Sequence, residues 1–191
     1  MRLTALLGLP VLLIAYGSAA MLADRQHRAH PDREPGACLG WACGNEFLVP
    51  VARHQMWQGP PEQAAEAVAT WREALRRDPA SAERWCDLGE ALLESGDRAG
   101  ARHCFQKAVE RGPNSPFVLL RAAHYAFRVE DSGQGLRQMA AVLARVRDYD
   151  GIIFHTYERF GVPVERVLET GIPRDRKAAQ SYFRHLMAAG N

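Results

Sequence analysis

The stretch "WCDLGEALLESGDRAGARHCF", residues 85–105, contains two amphipathic runs joined at Gly96-Asp97. Trp85, Leu88 and Leu92 recur at helical spacing and fall on one face of a first helix. Ala101, Phe105 and Ala108 do the same on a second. Gly89 and Ala101 are small enough to let two helix backbones approach, while Trp85 and Phe105 fill the space where they diverge. Pro113 ends the second helix, because a proline cannot continue it. The stretch thus predicts a helix hairpin, in which Cys86 and Cys104 flank the packing residues as small, partly buried side chains.

The hairpin recurs along the chain. A shift of 34 residues backward places Ala67, Trp71, Ala74 and Pro79 on the second helix of a preceding unit. The same shift forward gives Leu119, Ala122, Ala123, Ala126, Gly135, Met139 and Val142. Trp85, Leu88, Gly89, Leu92, Ala101, Phe105, Ala108 and Pro113 reproduce the pattern W-x2-L-G-x2-Y…A-x3-F…P, with Leu92 at the Tyr position. This pattern resembles the tetratricopeptide repeat (TPR) family, and the chain is similar to its bacterial membrane-anchored type. The expected fold is all-α: a short TPR-like helical solenoid preceded by an N-terminal transmembrane or signal helix.

The organisation follows from composition. Residues 3–22 carry no charge and would span about 30 Å as a helix, so 1–22 is expected to be a membrane anchor or signal peptide. Residues 23–46, rich in charge, Pro and Gly, are a spacer, 47–147 hold the repeats, and 148–191 form a C-terminal helical extension and cap. "EFLVPVARHQMWQG" is a candidate first helix interrupted by Pro50. The last helix, from about Asp175 to Ala189, looks like the first helix of a unit without its second. The expected location is the bacterial inner membrane, single-pass, with the repeats on the periplasmic side; secretion after signal cleavage is the alternative.

Lys plus Arg (24) and Asp plus Glu (22) nearly balance, and a formal charge of +2 gives no field for drawing in nucleic acid. No nucleophile elbow or P-loop is present, and the seven histidines are not spaced as metal ligands. The reading is therefore non-enzymatic, with no cofactor or metal. Cys38 and Cys43, separated by "LGWA", are the disulfide candidate, against free thiols or a lipid-modified cysteine.

The resemblance implies that the first helices of each pair line a groove that binds a protein or peptide. In this chain those positions include Glu83, Glu90 and Glu94, then Phe117, Leu120, His124 and Phe127. Three carboxylates beside two phenylalanines suit an apolar segment carrying Lys or Arg. Cys86 and Glu90 stand where the chaperone-binding members of the family use Lys and Asn to clamp a terminal carboxylate, which argues against that ligand. The expected function is a protein-protein interaction scaffold in the envelope. The alternatives are a periplasmic assembly factor of the cytochrome c maturation type and a structural subunit of a surface-polysaccharide synthesis or export complex.

Overall fold

The computed structural model describes residues 45–60, 63–129 and 131–190, in which every regular element is helical. The expected membrane segment and the Cys38/Cys43 pair lie outside the described residues. Among the described residues, no helix is long and apolar enough to cross a membrane. The described residues divide into two compact units, one ending at Pro79 and the other beginning at Ala80.

In the first unit, α1 (Asn45–Trp57) packs on α2 (Ala64–Arg77). Ala52, Ala67, Val68, Trp71, Ala74 and Leu75 are buried, and Thr70 Oγ1 donates to Gln55 Oε1 across the pair at 2.9 Å. Pro50 does not interrupt α1, contrary to the sequence reading. The proline lies inside the helix and is exposed.

The second unit begins with α3 (Ala82–Glu94) and α4 (Arg98–Arg111), followed by α5 (Pro116–Arg128) and α6 (Ser132–Leu143). α3 packs on α4, α5 on α6, and α5 touches both helices of the preceding pair. The helix starts repeat with the 34-residue period. Ser81 and Ser115 cap α3 and α5 by accepting from the backbone N–H three residues on, each at 3.4 Å. Asp97 and Asp131 cap α4 and α6 in the same way, at 2.8 and 3.1 Å. Between α3 and α4 the chain turns at Gly96, whose φ of +87° lies in the left-handed region that glycine enters without steric cost.

Gly89 shows why its place in the hairpin is small. A Cβ there would lie 2.9 Å from the Phe105 ring, which also stacks on Tyr125 with centroids 4.4 Å apart. The two residues that open the hairpin exchange their expected roles. Cys86 is wholly buried, whereas Trp85 is half-buried and meets His103 edge-on at 6.0 Å. The physical reason is that α3 is covered on two sides, by α4 and by α5, so its buried arc extends past the hairpin face to include Cys86. Cys104 is also buried rather than partly so.

Beyond α6, a 3-10 turn (Arg147–Tyr149) leads into α7 (Asp150–Arg159). A short helical segment follows, Val164–Arg166 continuing with π-type hydrogen bonding over Val167–Gly171, and then α8 (Arg176–Ala189). The short segment packs on α6, and Tyr157 OH donates to Gly171 O at 2.6 Å. Burial holds that phenol well above its ordinary range. α8 lies against α7 through the Phe154 and Tyr182 rings, 5.0 Å apart, and through Ser181 Oγ, which donates to Asp150 Oδ2 at 2.6 Å. Asp175 caps α8, and Arg147 pairs with it at 2.7 Å. The hydrogen bond from Ala178 N–H, aided by Arg147, keeps the Asp175 carboxyl below the usual range.

Candidate functional site

The face expected to bind a partner is carried by α3 and α5. Arg121 organises it. Its Nη2 lies 2.7 Å from Asp87 Oδ1, its Nε donates to Glu90 Oε1 at 2.8 Å, and its Nη1 donates to Glu83 O at 3.5 Å. Burial works against the guanidinium charge, but the hydrogen bond to Glu90 and the charges of Asp87 and Glu90 outweigh it, so its pKa lies above the ordinary value. One turn or two further along, Arg128 Nη2 donates to Glu94 Oε1 at 2.8 Å on an exposed part of the face. Phe117 is 47% exposed and has the Arg121 guanidinium 5.2 Å from its ring centroid.

The face therefore differs from the acidic and aromatic strip read from sequence. Glu90 and Glu94 are neutralised by arginines of α5; Glu83 is exposed and forms no ion pair among the described residues. Leu120 is half-buried against the core. His124 is half-buried, and its Nε2 is buried without a hydrogen-bond partner among the described residues. Burial, and then the Arg159 charge, push its pKa below 6.5 against a smaller pull from Glu90. Phe127 is not on the face at all. It is 7% exposed, stacks on Phe160 at 5.1 Å and meets Tyr157 edge-on at 6.3 Å. Gly135 makes this possible, since a Cβ there would lie 2.9 Å from the Phe127 ring.

Sequence reasoning missed Asp87 and Arg121 as members of the site. A signal was present: Asp87 and Arg121 are 34 residues apart, as are Glu94 and Arg128. Opposite charges separated by the repeat period occupy the same position on adjacent first helices, where they meet side by side.

Cys86 adjoins this ion-pair cluster but contributes no reactive thiolate. Burial pushes its pKa up to about 12 despite the opposing charge of Arg121. Cys86 and Cys104 are both buried. In a Cys38→Ser/Cys43→Ser chain, an aromatic disulfide reagent at pH 8 is expected to titrate almost no thiol in the native state and both thiols in denaturant. Rapid native reaction would contradict this. Because the folded thiol keeps its proton above the unfolded value of about 9, stability is expected to fall as pH rises past that value.

The comparisons with known proteins concern the repeat region and the fold. Residues 61–123 match a family model described as tetratricopeptide repeat. Superkiller complex protein 3 of Mus musculus is 31% identical over 87 residues, covering 46% of this chain and 6% of that protein. The Homo sapiens protein of the same name matches with the same figures. The matched segment thus spans a small part of those relatives. The crystal structure of MamA superposes with a TM-score of 0.53 at 14% identity, covering 90% of this chain and 91% of that one, a likeness of fold alone. The family match over 61–123 and the all-helical fold of the described residues thus agree in a likeness to tetratricopeptide repeats over that stretch.

Proposed function

We propose that this chain is a non-catalytic scaffold that holds a segment of a partner protein on the face formed by α3 and α5. The observation that carries the reading is Phe117. A large aromatic ring stands 47% exposed, and the cation beside it is fixed by two carboxylates of the neighbouring helix. A rigid, partly exposed ring beside an ordered arginine is the kind of anchor that dominates binding energy at interfaces. Because Glu90 and Glu94 already have arginine partners, the face suits a segment with an apolar side chain for Phe117 and mixed polar groups for the ion-pair rim.

The apolar stretch 3–22 would hold this scaffold in the bacterial inner membrane with the repeats on the periplasmic side. A photo-crosslinking residue at position 117 is expected to capture one protein in the envelope, and Phe117→Ala to weaken binding of that protein by about tenfold or more. Capture of nothing specific at 117 would rule out the face. The mass of the mature N-terminus separately tests retention of the anchor.

A further inference from the structure

Among the described residues, seven large apolar side chains are exposed, and four of them, Val164, Leu168, Phe183 and Met187, belong to the short helical segment and α8. Place within the helix shows why this is unusual. The eighth residue of α3, α5 and α7 is Gly89, Ala123 and Tyr157, and each is buried. The eighth residue of α8 is Phe183, which is 63% exposed. In the α3–α4 pair this position is covered by the second helix, whose Phe105 ring meets Gly89. No described element covers it in α8. Leu168, Ala179 and Phe183 instead line an open cleft of about 570 Å³, with Arg176, Gln180 and Arg184 on its rim.

The surroundings of the cleft carry both signs of charge in separate places. Glu165 and Glu169 accompany Val164 and Leu168 at four-residue spacing on the short segment, and all four are exposed. Arg176 and Arg184 accompany Phe183 and Met187 on α8 and are likewise exposed. Apart from a 4.0 Å approach of Arg166 to Glu169, none of these charges forms an ion pair among the described residues. The surface thus has exposed apolar side chains beside two acids and one base, Arg166, on one element, and exposed apolar side chains beside bases on the next. Such a surface is complementary to itself, which is what a two-fold interface requires: patch i of one copy meets patch j of the other, and j meets i.

We propose that a second copy of this chain docks on this cleft about a two-fold axis. Val164 and Leu168 of each copy cover Phe183 and Met187 of the other, and Glu165 and Glu169 of each face Arg176 and Arg184 of the other. The contact uses residues separate from Phe117 and Arg121, so it leaves the partner-binding face free and doubles it.

The test is sedimentation equilibrium of the full chain in mild detergent over a concentration series, reading protein mass. The expected result is a reversible dimer of twice the 21.2 kDa chain. Phe183→Glu/Met187→Glu should weaken it by about a hundredfold or more, with helix content unchanged. Two charge reversals make the test specific. Glu165→Arg/Glu169→Arg and Arg176→Glu/Arg184→Glu should each abolish self-association, and an equimolar mixture of the two chains should restore a dimer containing one of each.

A chain that stays at 21.2 kDa at every concentration would overturn the proposal, as would a dimer that survives Phe183→Glu/Met187→Glu. It would equally be overturned if the monomer used the same residues to bind anionic vesicles or an acidic amphipathic peptide. A failure of crosslinking at position 117 would leave this result unaffected.

Discussion

Replacing Arg121 by methionine is expected to lower the unfolding free energy by about 3 kcal/mol, the cost of taking the cation that Asp87 and Glu90 share out of a partly buried site. Asp87 and Glu90 are 10% and 24% exposed at their side chains, so water replaces the guanidinium poorly. The loss should show as a lower urea midpoint at unchanged slope. The triple variant Asp87→Asn/Glu90→Gln/Arg121→Met should recover much of it, because removing all three charges also removes the desolvation cost of burying them. If the triple variant is no more stable than Arg121→Met alone, the ion-pair account of this junction fails. Partner binding should weaken as well in Arg121→Met, since Phe117 loses the group that stacks beside it.

The other large effect is at Phe105. Its ring is 3% exposed, fills the space above Gly89 and stacks on Tyr125 of α5, so it serves the hairpin and the junction to the next pair at once. Phe105→Ala is expected to cost about 3–5 kcal/mol. Gly89→Ala should be destabilising through contact rather than backbone conformation, since the added Cβ would lie 2.9 Å from that ring. Coupling between the two sites is the decisive measurement. Gly89→Ala should cost less in a Phe105→Leu background than in the native one, and simple additivity would show that the glycine is small for another reason.

Much of the fold was legible because the repeat period acts on several properties together. The small residues Gly89 and Ala101, the aromatic Phe105 and the proline after α4 all mark one hairpin, and α3 to α6 follow that register. Its caps were equally readable, as Ser81 and Ser115 or Asp97 and Asp131 differ by one period. Burial of Cys86 was not legible from the hairpin alone. A single hairpin predicts one covered face on α3, and only the docking of α5 defines the second.

The candidate face was read less well for the same reason. Listing residues helix by helix left Glu90 and Glu94 as free acids, whereas their partners lie on the next first helix. Phe127 misled for a different one. Its fate depends on Gly135, which leaves an opening on α6 that a larger residue would close. Composition alone gives a phenylalanine no preference between an open face and such an opening.

Two of the ion pairs between α3 and α5, Asp87–Arg121 and Glu94–Arg128, have a consequence for how repeats can be combined. Acids stand on the earlier helix and bases on the later one, at equivalent positions in both pairs. Duplicating either unit in place of its neighbour would set like charges against each other at these positions. The repeats share a shape but are not interchangeable bricks: charge lets each one sit beside its opposite and not beside a copy of itself.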